Sequence, residues 1–226
     1  MLPLADALAA GGLTALAVTL RSQHGLQAIP VLREQRPELV TGAGPVRDRH
    51  ILHAAKAAGS PVIVHEPNCG AGTGNRLLGP VAARVGEAFP DTFTLSGSRR
   101  TTGNPVRAEL FFDTPRPALA GRKARLLVLG GSLGAEPLNK LLPEALSQVA
   151  PELRPEVFHQ AGKQHDEVTA ERYRAAGVEA QVQPFINDMA QAYGWADLVV
   201  CRAGALTVSE LAAAGLPSML VPLPHA

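Results

Sequence analysis

Residues 125–142 read RLLVLGGSLGAEPLNKLL, an apolar run followed by a glycine-rich turn and the start of an amphipathic segment. Within it, Gly130, Gly131, Ser132, Leu133 and Gly134 spell G-x-S-x-G. Two chemistries use such a turn. As a nucleophile elbow it would present Ser132 as the attacking hydroxyl of a hydrolase. As a strand-to-helix turn it would offer backbone amides and the serine to a diphosphate. The hydrolase needs an acid and then a histidine after Ser132. Asp188 and Asp197 are the candidate acids, but His159 and His165 precede them and only His225 follows. That order weighs against a triad. The paired glycines before Ser132 suit close approach of a diphosphate at least as well as a strained elbow.

Three further stretches place small or polar residues where apolar runs end: Gly42-Ala43-Gly44, His65-Glu66-Pro67-Asn68 and Arg202-Ala203-Gly204-Ala205. In an open parallel sheet, ligands bind at such carboxyl ends, and a glycine turn that opens a helix suits an anion. None of these turns matches G-x-G-x-x-G or a Walker loop, so dinucleotide and nucleoside-triphosphatase readings are poor. The HEPN group is equally readable as a capped turn or as a site. Glu210 stands in the apolar stripe of its helix, where it either faces solvent or accepts hydrogen bonds from two vicinal ribose hydroxyls. Arg107, in GNPVR, could pair with a phosphate or hold a hinge.

The elements that must position these residues alternate between short β-rich runs and alanine-rich helical ones, the pattern of parallel α/β folds. Strands are expected over 37–42, 61–66, 124–130, 156–162, 196–202 and 217–223. Helices are expected over 48–59, 137–149 and 205–215, the last ending on Gly215 as a natural C′ residue. The order strand, glycine turn, helix, Gly, Pro, strand occurs twice, at 37–66 and 196–223. This echo suggests two Rossmann-like halves. The stretch between them, 94–123, is dense in Gly, Pro, Ser and Arg and reads as a linker.

With 226 residues the chain can hold two modest domains. Aromatics are only 4%, so the core must be aliphatic. A formal net charge of +1 leaves no electrostatic footprint for nucleic acid. Cys69 and Cys201 are expected as free thiols. The N-terminal stretch lacks a basic start, carries Asp6 and is split by Gly11-Gly12, so it reads as a packing or membrane-touching helix around Leu13–Leu20, not an export signal. No run approaches the roughly 20 apolar residues that span a bilayer.

Taken together, HEPN at 65–68, GNPVR at 103–107, GGSLGA at 130–135, FINDM at 185–189 and the run WADLVVCRAGALTVSELAAAGLPSMLVPLPH at 195–225 resemble the MurG family of bacterial glycosyltransferases, family 28. The resemblance implies a GT-B fold, α/β, with two Rossmann-like parallel-sheet domains, each incomplete here. Residues 1–93 would be the remainder of the acceptor-binding domain and 124–226 the first half of the UDP-sugar-binding domain. It implies inverting transfer of N-acetylglucosamine from UDP-GlcNAc to the 4-hydroxyl of lipid I, without a cofactor or metal. The setting would be the cytoplasmic side of the bacterial inner membrane, with the enzyme peripheral. Carried onto this chain, the donor residues would be Asn68, Arg107, Ser132, Ile186 and the run Ala205, Leu206, Thr207, Val208, Ser209 and Glu210. Ser132 would meet the diphosphate, the backbone at Ile186 the uracil, and Glu210 the ribose. The acceptor side would include His65, Glu66, Gly42 and Gly44.

Departures accompany the resemblance. The family's GGTGGH loop, which grips the acceptor diphosphate and supplies the proposed general base, has no counterpart in these residues. The second acceptor loop reads GAGPVRDRH, with Arg47, Asp48 and Arg49 at positions expected to be small. Ala203 stands where a serine is common and Leu133 where a glutamine is. These features lead to the expectation of a fragment that is inactive in transfer by itself. A serine hydrolase and a non-catalytic nucleotide-sugar module are the competing classes.

Overall fold

The computed structural model describes residues 2–10, 15–18, 23–43, 61–93, 99–113, 118–119, 121–131 and 133–222. The chain divides into two compact units: Met1–Glu66 with Gly70–Thr101, and Pro67–Cys69 with Thr102–Ala226.

The first unit holds helix α1 (Leu2–Ala10), strand β1 (Ala15–Val18), helix α2 (Gln23–Gln35) and strand β2 (Val40–Ala43). Strands β1 and β2 pair in parallel, Ala15 opposite Val40 and Val18 opposite Ala43, which makes a β-α-β unit with its own two-stranded sheet. The helix expected around Leu13–Leu20 is therefore corrected: its described centre is a strand. A short apolar run does not distinguish the two by period, and the parallel partner 25 residues on decides it. Ala5, Ala28, Leu32 and Leu39 form a small buried cluster. A second sheet contains β3 (Ile63–Glu66), β4 (Arg84–Glu87) and β5 (Arg99–Thr101), all parallel, with helix α3 (Thr73–Leu78) after β3. Strand β5 lies within the stretch read as a linker. Among the described residues β2 and β3 belong to different sheets. The first copy of the sequence echo thus does not make a pair of adjacent strands, and its helix at 48–59 lies outside the described residues.

The second unit is built on five parallel strands in the order β10-β9-β6-β7-β8: β6 is Arg125–Leu129, β7 Glu156–Gln160, β8 Gln181–Gln183, β9 Leu198–Arg202 and β10 Ser218–Val221. Helix α4 (Glu136–Ser147) follows β6, α5 (Asp166–Ala175) follows β7, α6 (Met189–Trp195) precedes β9 and α7 (Ala205–Ala213) follows it. Central strands buried on both faces read as continuous aliphatic runs, and RLLVL and LVVC do so. Leu126, Val128 and Val200 pack on one face with Leu138 and Tyr173. Leu127, Leu129, Val199 and Cys201 pack on the other with Tyr193 and Leu211.

Local chemistry sets the helix ends. Asp188 caps α6 by accepting from the Gln191 amide at 2.8 Å. Helix α5 carries Asp166 and Glu167 in its first turn and Arg172 and Arg174 in its last, matching its dipole. Helix α7 closes as expected on Gly215: φ is +59°, Gly215 N–H donates to Ala212 O and Leu216 N–H to Leu211 O. That double bond pattern needs a left-handed residue at C′.

Candidate functional site

The chain order β6, β7, β8, β9, β10 becomes β10-β9-β6-β7-β8 in space, so the sheet changes direction of growth between β6 and β9. Ligands of doubly wound sheets bind outside the carboxyl ends at such a point. A cleft of about 240 Å³ opens there, lined by Leu129 and Gly131 at and just beyond the end of β6 and by Cys201, Arg202 and Gly204 at and just beyond the end of β9. Ile186, Tyr193, Arg107, Thr207 and Glu210 complete its walls. Four of the residues expected at a donor site, Arg107, Ile186, Thr207 and Glu210, are thus brought together.

The turn from β6 to α4 is held closed by backbone. Gly130 N–H donates to Gln160 O at 3.0 Å and Gly134 N–H to Gly131 O at 3.1 Å. Gly134 has φ +81°, and a Cβ there would collide with the carbonyl oxygen of Ala161. The glycine serves close approach of the β6 and β7 turns. Ser132 itself lies outside the described residues, as does Gly44.

Helix α7 points its N-terminus at the cleft through Thr207, and the first N–H groups of any helix lack an internal acceptor. Ala205, Leu206 and Val208 belong to that opening turn without lining the cleft. Ser209 faces elsewhere: its hydroxyl donates to Ala205 O at 3.0 Å and accepts from Asn104 Nδ2 at 3.1 Å. Asn104 also donates to Pro67 O at 3.0 Å, which ties the turn bearing Asn68 into the second unit. Asn68 is not among the cleft-lining residues.

Glu210 is three-quarters buried, its side chain 26% exposed. Its Oε2 accepts from the Tyr193 hydroxyl at 3.0 Å, and its Oε1 lies 3.7 Å from Arg107 Nη2. Arg107 is also 3.5 Å from Glu109. Burial, and then the charge of Glu210, push the Tyr193 phenol far above its ordinary pKa, so it stays a donor. Burial raises the Cys201 thiol to about 11. Tyr193 and Cys201 are absent from the residues expected at the site, whereas Arg202 opens the strand-end stretch Arg202–Ala205 named above. The sequence sign for Tyr193 was an aromatic residue one turn after the FINDM cap.

The residues assigned to the acceptor side are distributed. Gly42 lies on β2, and His65 and Glu66 on β3 of the other sheet. Glu66 is 2% exposed, and its Oε2 accepts from Gly72 N–H and Asn75 Nδ2, both at 2.9 Å. That carboxylate organises the loop before α3, the capped-turn reading of HEPN. His65 is exposed, and its carbonyl accepts from Asn75.

The acids considered for a triad are otherwise engaged. Asp188 caps α6, and Asp197 takes two bonds from Arg122 at 2.7 Å and one from Arg125 N–H at 2.8 Å. His159 is fully buried with Nδ1 3.0 Å from the Tyr173 hydroxyl, and burial lowers it to about 4. His165 Nδ1 is 4.0 Å from Glu136 Oε2, beyond a hydrogen bond, and Glu136 is held by Arg172 at 2.9 Å. His225 lies outside the described residues. Among those described, no group of three or more His, Cys, Asp or Glu is placed to hold a metal ion. Cys69 and Cys201 are both free, the first exposed and the second buried.

Comparison with known proteins follows this geometry. Residues 125–226 match the glycosyltransferase family 28 C-terminal domain, and residues 1–71 match the family described as KDPG and KHG aldolase. A Pseudomonas fluorescens protein named UDP-N-acetylglucosamine--N-acetylmuramyl-(pentapeptide) pyrophosphoryl-undecaprenol N-acetylglucosamine transferase is 80% identical over 200 residues, 88% of this chain and 56% of that protein. A Pseudomonas syringae pv. syringae protein of the same name is 70% identical over 201 residues, 89% of this chain and 56% of that protein. The crystal structure of Acinetobacter baumannii MurG superposes with a TM-score of 0.65 at 39% identity, over 89% of this chain and 57% of that one. The chain therefore spans about half the length of the curated relatives it matches, and their likeness overlaps the aldolase-like stretch. Over most of its residues the chain is thus similar to MurG proteins in sequence and structure, and residues 125–226 match the C-terminal domain of glycosyltransferase family 28.

Proposed function

We propose that this chain supplies the donor-binding part of an inverting N-acetylglucosaminyltransferase, taking UDP-N-acetylglucosamine and serving transfer to the 4-hydroxyl of lipid I. One observation carries the reading: a carboxylate, an arginine and a helix start converge on a single cleft at the direction change of the family 28 sheet. In this reading Glu210 accepts the ribose hydroxyls, the backbone at Ile186 meets uracil, and the Gly130–Ala135 turn with Ser132 faces the diphosphate together with Thr207. Arg107 neutralises phosphate charge, and Asn68 contributes to the sugar end. The pyrophosphate leaves as part of UDP, and its stabilisation by fixed amides and an arginine is the catalytic share of this half.

The acceptor side, by the same reading, involves His65, Glu66, Gly42 and Gly44, with peripheral contact at the cytoplasmic face of the inner membrane. Among the described residues no helix is long and apolar enough to cross a membrane. The aldolase-family match of residues 1–71 supports a second reading of that stretch alone, as a β-α-β unit with no part in acceptor binding.

Calorimetric titration tests the donor reading: UDP should bind and ADP should not, and Glu210→Ala should weaken UDP by roughly 10–100-fold, as for a hydrogen-bonded charged group. Equal binding of UDP and ADP, or an indifferent Glu210→Ala, overturns it. A Gly42→Ser chain that retains a lipid I analogue unchanged favours the aldolase-like reading of the N-terminal stretch. Transfer by the 226 residues alone should be at least 100-fold below that of a version extended to the length of its relatives, because loss of a positioned proton acceptor alone costs about 10²–10⁴.

A further inference from the structure

We infer that Tyr193 is a positioning residue for the donor: its buried hydroxyl fixes the Glu210 carboxylate in the orientation that receives the ribose. The inference rests on the donor-cleft reading above. Tyr193 has no exposed surface, and a buried phenol hydroxyl must find a partner. Its partner at 3.0 Å is Oε2 of Glu210, a carboxylate that lines the ligand cleft and is not part of the core. The tyrosine comes from α6, whose start is pinned by the Asp188 cap, and the glutamate comes from α7, so the bond locks two elements across the cleft wall.

A glutamate side chain has three rotatable bonds, and free rotation would cost affinity each time the carboxylate had to be ordered around two hydroxyls. Holding one oxygen by a neutral donor removes that cost and leaves Oε1 directed to Arg107, 3.7 Å away. The phenol suits the task because burial keeps it protonated, so it never becomes a second anion beside Glu210. Phenylalanine would fill the same space and lose the bond to Glu210.

The test is calorimetry with UDP and with 2′,3′-dideoxy-UDP, which lacks the hydroxyls. The chain as it stands should prefer UDP, and Glu210→Ala should abolish that preference. Tyr193→Phe should weaken UDP by about tenfold and leave the dideoxy analogue unchanged. Equal weakening of both ligands would assign Tyr193 a merely structural role and overturn the inference, as would unchanged binding of both. If Glu210→Ala keeps the preference, or the chain binds no UDP, the donor-cleft reading fails and this inference with it.

A second measurement needs no substitution. The chain has two tyrosines, Tyr173 and Tyr193. In a fluorotyrosine-labelled chain, the fluorine resonance of Tyr193 should move with UDP and hardly at all with the dideoxy analogue. Tyr173, in the core on the opposite sheet face, serves as the reference. Identical shifts from the two ligands overturn the proposal.

Discussion

Nη2 of Arg107 and Oε1 of Glu210 stand 3.7 Å apart at the mouth of the cleft, with the arginine side chain 46% exposed. A pair this open contributes little to folding, typically below about 1 kcal/mol. Its two members are nevertheless the charged groups a nucleoside diphosphate would engage separately. Arg107→Ala should therefore leave the unfolding midpoint within a degree or two. The same change should lower UDP affinity about tenfold, with a smaller loss for uridine, which has no phosphate. Equal losses for both ligands would show that Arg107 acts through Glu210.

The glycine turn offers a contrast between two positions of like backbone. Gly131 and Gly134 have φ near +80°, but open space surrounds the first, whereas a Cβ on the second meets Ala161 O. Gly131→Ala should cost about 1–2 kcal/mol, the ordinary penalty of a left-handed alanine. Gly134→Ala adds a backbone collision and should cost well above 3 kcal/mol, or prevent folding of the second unit. Urea unfolding of both variants checks the difference, and similar midpoints would contradict it.

Acid sensitivity should be traceable to His159. Burial lowers its folded pKa to about 4, against about 6.5 when unfolded. The unfolded chain then binds more protons as pH falls, so this contribution is complete above pH 6.5 and is lost progressively on the way to pH 4. The loss is on the order of 3 kcal/mol. Chemical denaturation of the chain from pH 7 to pH 4 should show it, and His159→Gln should flatten the profile over that window. A parallel decline in the variant would assign the effect to carboxylates such as Asp197, whose pairing with Arg122 holds it below its usual range.

The two thiols should react at very different rates. Cys69 is exposed, whereas Cys201 is buried at the foot of the cleft with its pKa raised to about 11 by burial. At pH 7.5 iodoacetamide should modify Cys69 first, with Cys201 slower by at least about 100-fold, since the thiolate is the nucleophile. Peptide mass mapping over time decides it. Saturating UDP should slow Cys201 further without changing Cys69.

Much of the second unit was already readable as sequence. RLLVL, EVFHQ and LVVCR are unbroken or alternating β-rich runs bounded by glycine turns, and they form β6, β7 and β9 near the expected limits. Gly215 announced the end of α7, because a helix that closes through a left-handed residue favours glycine there. Glu210 and Arg107 stood out as charges within apolar or turn contexts. These signals are local, and local chemistry alone produces them.

The tertiary structure decided what depends on distant pairing. Ala15–Val18 became a strand because Val40–Ala43 lies alongside it, which no period within the run shows. Arg99–Thr101 adds to β4 from inside a stretch whose Gly, Pro and Arg content reads as linker. Glu66, a site candidate by its neighbours in sequence, accepts from Gly72 and Asn75, partners that the loop before α3 brings to it. Tyr193 shows the limit most clearly: on its own helix it is one more apolar-face aromatic. Only the packing of α6 against α7 brings its hydroxyl to Glu210. Sequence fixed which residues could form elements and carry charge, while the fold chose their partners, because a hydrogen bond across 17 residues is a property of packing and not of either segment.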